Sequence, residues 1–319
     1  MLPCAVSALH LGTRKASTLA RNALYIDRGL LVVNKPPGIT CQYNRQESAK
    51  EGEHSRFTDF INDLKEEFEL LRDPMPVHRL DKDTTGALAL AIDHTHAREL
   101  ARQFANRTVE KTYLALVYGG SKSLARRSGR IESVIQYSKG RAIVTDNSGE
   151  GGELGKSART DYELLATSPR MSLSLMSLKP HTGLKHQLRI HMAHNLKMPI
   201  VGDTVYSTPK ADKTNPGAAT ISNGRMFLHA SSLTVFRYRR EGKPKRARVT
   251  VCAPLPDYFV RVCQQAELSL PQALITGGLW VDDVRTEIGD RQADAGEESE
   301  EANQGRTPLQ SLGARWFGS

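Results

Sequence analysis

The sequence predicts an α+β fold, a mixed and mostly antiparallel sheet flanked by helices and loops. Three observations carry this. Strand-like runs outnumber helical ones. The two kinds do not alternate as a doubly wound parallel sheet requires. No internal repeat points to a solenoid or propeller.

Residues 26–34 are apolar and β-branched and end in Lys35-Pro36-Pro37-Gly38, so a strand and a turn are expected. Residues 41–56 are polar and read as a loop. Over 57–71 the apolar positions Phe57, Phe60, Ile61, Leu64, Phe68 and Leu71 have helical spacing, stopped by Asp73-Pro74-Met75-Pro76. Strands are expected over 86–92, 109–117, 158–165, 171–178, 226–236 and 246–251. Helices are expected over 94–105, 185–195 and 258–267. Residues 119–129 and 146–156 read as glycine-containing loops, and 207–224 as a polar insertion.

The chain has 319 residues, 39% hydrophobic and 25% charged, which suits a globular protein with a core of normal size. It lacks a run of 18 apolar residues, so no membrane span is expected. The net charge is +9, but residues 282–301 hold nine acids and two bases, which leaves +16 on the rest. A body that basic suits either a polyanionic partner or a solvated basic surface. The acidic stretch is poor in aromatics, and disorder is expected from about residue 290. Cys4, Cys41, Cys252 and Cys263 form no metal-type pairs, which argues for a reducing compartment without a zinc or disulfide framework. Residues 1–24 carry Arg14, Lys15 and Arg21 without an acid, the composition of a mitochondrial transit peptide or of a frayed basic terminus.

Three stretches concentrate reactive groups. The first is 77–86, a loop holding His78, Arg79, Asp81, Asp83, Thr84 and Thr85 beside a strand. Alone it reads as a solvated turn before it reads as a reactive loop. In the second, Lys111, Tyr113 and Ala115 share one face of a strand, where a tyrosine is either a sheet residue or a surface for stacking a base. The third, 182–194, places Gly183 before a helix whose first turns hold Lys185, His186 and Arg189, where free N–H groups favour anions. His186, His191 and His194 lack the H-E-x-x-H arrangement, so no metal is expected. Residues 149–157 have Glu150 where a P-loop requires glycine, so no nucleotide phosphate is expected there.

Together these stretches resemble the RluA family of pseudouridine synthases over about residues 25–266. The matching segments are Asn34-Lys35-Pro36-Pro37-Gly38, His78-Arg79-Leu80-Asp81 with Thr85-Gly86, and Lys111-Thr112-Tyr113. They continue with Thr182-Gly183, His186-Gln187-Leu188-Arg189-Ile190-His191, Pro199-Ile200-Val201-Gly202-Asp203 with Tyr206, and Leu228-His229-Ala230. Thr85 stands where serine is commoner, and Leu184 where many members carry arginine. The Thr-Gly-apolar-Lys-His-Gln form looks like mitochondrial members.

The resemblance implies a catalytic domain over 25–268, with 1–24 as the transit peptide and 269–319 as an extension. No S4 RNA-binding domain is expected before Tyr25. It implies Asp81 as the catalytic residue, either attacking the anomeric carbon of a uridine or removing a proton from its ribose 2′ position. It likewise implies that Arg189 pairs with that aspartate and orients it, that Tyr113 packs on the target base, and that Arg79 enters the space left by the flipped nucleotide. A lone carboxylate serves as nucleophile or base without a redox step, so no cofactor is expected. The expected partner is RNA, with rRNA first and tRNA or mRNA as further candidates, and no membrane. The chain is expected to be a monomer. A mitochondrial location is expected, with cytoplasm or nucleus as the alternative. A catalytically silent RNA-binding or ribosome-assembly protein on the same fold is the rival reading.

Overall fold

The computed structural model describes residues 22–41, 51–138, 140–145, 155–207, 224–240, 242–286 and 307–318. Most of 1–24, the 146–156 loop and the 207–224 insertion therefore lie outside the described residues, as does most of the acidic stretch.

A single sheet organises the chain. Its main path runs β14-β1-β2-β4-β10-β5-β9-β8-β6-β7. These strands are β1 (Ala23–Ile26), β2 (Leu30–Lys35), β4 (Thr85–Ala91), β5 (Glu110–Tyr118), β6 (Ser128–Ser138), β7 (Arg141–Thr145), β8 (Lys156–Thr167), β9 (Leu173–Pro180), β10 (Leu228–Tyr238) and β14 (Arg315–Trp316). Off this path, β3 (Met75–Pro76) pairs with β4, and β11 (Arg246–Cys252) pairs with β10. β12 (Gly278–Val281) and β13 (Val284–Arg285) continue outward from β11. Pairing is antiparallel apart from β4 and β10, where His229 meets Thr85 and Ala230 meets Gly86 in parallel. The mixed, mostly antiparallel sheet is thus as expected.

Period-two alternation decides which face each strand residue buries. On β2, Leu31 and Val33 join one core with Leu88 and Leu90, covered by Phe57, Phe60, Ile61 and Leu64 of α1 (Glu51–Glu67). Leu30 and Val32 face the other side with Leu100 of α2 (His94–Ala105). Helix α4 (Asp257–Gln265) lays Phe259, Val262 and Cys263 on Leu114, Leu116 and Leu175 of β5 and β9. Helix α2 starts at the predicted residue because Asp93 caps it, its carboxylate accepting from the Thr95 and His96 N–H groups.

Several expectations need correction. Helix α1 begins at Glu51, inside the stretch read as a loop, and ends at Glu67 rather than 71. The 185–195 helix shrinks to α3 (Gln187–Ile190) followed by a π-turn over His191–Asn195. The hairpin of β6 and β7 was not expected, nor were α5 (Gln272–Thr276), β12 and β13. Residues 307–318 fall within the tail expected to be disordered, yet they form α6 (Pro308–Leu312) and β14. Leu309 and Leu312 are buried, and Trp316 pairs with Tyr25 of β1. Two buried leucines and a pairing edge outweigh the acidic composition preceding them.

Candidate active site

The chain leaves the sheet between β3 and β4 and returns through residues 77–84, which carry Asp81. Two ties fix this loop from beneath. The Gly38 N–H donates to the Lys82 carbonyl at 2.9 Å. Lys35, fully buried, donates to the carbonyls of Pro36, Ile39 and Lys82 at 2.9, 3.0 and 2.9 Å. Burial pulls its ammonium pKa down to about 8, against the opposing charges of Cys41, Asp83 and Asp81. The loop then enters β4 at Thr85, and at the next residue, Gly86, φ is +108° and an added Cβ would lie 2.3 Å from the Ala230 carbonyl oxygen. Only glycine admits that close parallel approach to β10.

His78, three residues before Asp81, borders the same cavity but is held by packing and a backbone bond. Its ring lies on Phe104 with centroids 4.8 Å apart, and Nε2 accepts from the Ala89 N–H at 2.9 Å. Burial, with Lys111 nearby, pushes its pKa down to about 3, so it is neutral. His229 is likewise buried, bonded to the Thr85 hydroxyl at 2.9 Å and the Ala253 carbonyl at 3.3 Å. The second contact requires a proton on Nε2, so Nδ1 accepts from Thr85.

A cavity of about 750 Å³ opens above the loop, lined by Arg79, Asp81, Lys111, Tyr113, His186 and Arg189 among others. Residues 108 positions apart therefore share one site. The Asp81 side chain is 17% exposed and accepts from Arg189 Nη1 at 3.5 Å. That contact is at the outer limit of a hydrogen bond. The close partner of Arg189 is Asp203, which takes Nε at 2.7 Å and Nη2 at 2.8 Å in a bidentate pair. Burial alone would lower the proton affinity of Arg189, but the Asp203 bonds outweigh it and raise it. The Val205 and Tyr206 N–H groups also bind Asp203 at 2.9 and 3.1 Å. The turn that presents it needs Gly202, with φ +75° and the Arg225 carbonyl oxygen 1.8 Å from any Cβ.

Tyr113 is buried on β5 beneath the cavity. Burial, then the charge of Asp81, raises its pKa, so it keeps its proton. Arg79 and Asp83 are exposed, and of the two only Arg79 lines the cavity. Lys185 and His186 precede α3 instead of occupying its first turns. His186 is left-handed, with φ 57°, and bonds through Nδ1 to the Tyr206 hydroxyl at 2.9 Å. The side-chain amide of Gln187 ties this turn to Thr182, Leu184, Arg159 and Thr160. His191 is held by Thr160 and Ser133. Sequence reasoning named Asp203 as part of a motif but not as the partner of Arg189. The available signal was an acid in a glycine turn, which does not say which cation it meets.

A mixed sheet with a carboxylate and a clamped arginine in a basic cleft at its centre defines the class, a pseudouridine synthase fold. The family model for RNA pseudouridylate synthase matches residues 29–194. The chain is similar to the ribosomal large subunit pseudouridine synthase C of Rickettsia bellii, 33% identical over 240 residues, covering 75% of this chain and 70% of that one. It is also similar to the dual-specificity RNA pseudouridine synthase RluA of Haemophilus influenzae, 34% identical over 217 residues, covering 66% and 85%. Among solved structures, human RNA pseudouridylate synthase domain containing 4 aligns with a TM-score of 0.59 and 25% identity, over 80% of this chain and 97% of that one. With its fold, motifs and relatives in agreement, the chain belongs to the RluA-type RNA pseudouridine synthases.

Proposed function

We propose that this RNA pseudouridine synthase acts on mitochondrial rRNA with Asp81 as its catalytic residue. The observation that carries the reading is the arrangement of Asp81 on Arg189, itself clamped by Asp203, in the cavity that Tyr113 underlies. A carboxylate so placed serves as nucleophile at the anomeric carbon or as base at the 2′ position. Either route breaks the bond between sugar and N1. The uracil turns, bonds through C5, and C5 gives up its proton. Tyr113 offers a flat neutral ring to the base, and Arg79 fills the helix position that the flipped uridine vacates. Flipping is required because a stacked base hides its glycosidic bond.

The Rickettsia relative is named for the large ribosomal subunit, which favours rRNA over tRNA or mRNA. The basic, acid-free composition of residues 1–24 supports import into mitochondria, and a fluorescent protein fused to those residues should then enter the organelle. One experiment tests the whole reading. Pseudouridine is mapped in cellular RNA with and without the gene, and after restoration with Asp81→Ala. The expected result is a set of rRNA sites lost on deletion and not regained with the variant. Full restoration by Asp81→Ala would instead favour a silent RNA-binding protein.

A further inference from the structure

A second cavity, of about 570 Å³, opens beside the first and shares Arg107, Val109, Lys111, Pro180 and His181 with it. Its floor is a polar patch of the sheet. Thr234 of β10 sits between Glu110 of β5 and Thr250 of β11, and Thr250 pairs with Trp280 of β12. The alternate residues Leu233, Val249, Val251, Leu279 and Val281 point into the core on the other face. The polar row thus lies on the groove side of the pleat, where the hydroxyls of buried Thr234 and half-buried Thr250 bond each other at 2.8 Å.

The charges favour an anion. Arg107, Lys111, Arg159, Lys179 and Arg248 line the groove against two carboxylates, Glu110 and Asp283. Both carboxylates pair with the same Arg248, so the other four cations leave the groove with an excess of three positive charges. Arg159 Nε is buried and has no hydrogen-bond partner among the described residues. At the far wall the indole of Trp280 lies against Gly278, where a Cβ would meet its ring at 2.9 Å. Exposed Arg285 adds a cation 5.7 Å from that ring.

We infer that this groove is a second nucleic-acid subsite, which holds the RNA strand flanking the uridine in the first cavity. Backbone phosphates meet Arg107, Arg159 and Lys179. One base packs on Trp280. The inference rests on the first cavity taking the uridine, because the two cavities share Lys111 and His181 at their border.

The test is equilibrium binding of fluorescein-labelled oligouridylates, about four and about twelve nucleotides long, to the full chain across a salt series. Arg107→Glu with Lys179→Glu should weaken binding of the longer oligomer about tenfold or more, flatten its salt slope by about two, and affect the shorter one less. Trp280→Ala should lose roughly tenfold on the longer oligomer, and Trp280→Phe should recover most of it. Arg261→Glu on α4, outside the groove, corrects for net charge. Groove variants that lose no more than Arg261→Glu, or a Trp280→Ala that binds as wild type, overturn the inference. Binding is read without turnover, so the two readings fail separately. A wild-type chain that binds in this pattern but makes no pseudouridine overturns only the enzyme reading. A wild-type chain that makes pseudouridine while its groove variants bind normally overturns only the subsite.

Discussion

Arg189 meets two carboxylates, and the inequality between them is the centre of the site. Asp203 is nearly inaccessible and bidentate, whereas Asp81 is partly exposed and at 3.5 Å. The first carboxylate fixes the guanidinium, and the second is left available to a substrate. Asp203→Asn should leave a buried guanidinium with only the long contact to Asp81, at a cost of about 3–5 kcal/mol, read as a lower melting temperature. Asp81→Asn should melt within about 1 kcal/mol of wild type, because its pair is long and partly solvated. The motifs singled out Asp81, Arg79, Tyr113 and Arg189, which the fold gathers around one cavity. The sequence did not reveal Asp203, because the pairing joins two turns that only the fold brings together.

The element that matters most is the 77–84 loop, and Lys35 of β2 is its anchor. Three carbonyls need three N–H donors, which only the charged ammonium supplies. Its pKa of about 8 lies below the unfolded value near 10.5. Deprotonation therefore favours the folded state, and this group adds stability as pH rises from about 8 to 10.5. One carbonyl is nevertheless released in the process. The rate of pseudouridine formation should fall above about pH 8 while thermal stability does not, and Lys35→Met should show the low rate at every pH. A rate that stays flat across that range in the wild type would remove Lys35 from this role. At the other edge of the sheet, α6 and β14 close over β1. Deleting 307–319 should expose the edge of β1 and empty the seats of Leu309 and Leu312, which lowers the melting temperature and promotes aggregation. Helix α2 was visible from its cap and spacing. The start of α1 and the β6–β7 hairpin were not, because polar, partly exposed residues carry little periodic signal.

At the scale of the whole molecule, three histidines are folded in neutral form. Burial holds His78 near 3, and His191 and His229 near 4, against about 6.5 when unfolded. A depressed pKa contributes stability that is complete above the unfolded value and lost as pH falls toward the folded one. The melting temperature should therefore drop by roughly 5 °C or more between about pH 6.5 and 5, before Asp27 and Asp203 begin to titrate. The fold class was legible because strand-like runs outnumbered helices, and the basic body pointed to a polyanion. The order of strands was not legible, since β10 inserts between β4 and β5 from more than 100 residues away. That insertion is what places Asp81, Tyr113 and Arg189 around one cavity. The most direct test is the rate of pseudouridine formation in an unmodified rRNA transcript by purified wild type and Asp81→Asn, read by nucleoside chromatography beside RNA affinity. The account predicts a loss of at least about a thousandfold in rate with affinity kept within about threefold. An Asp81→Asn enzyme that retains its rate would contradict it.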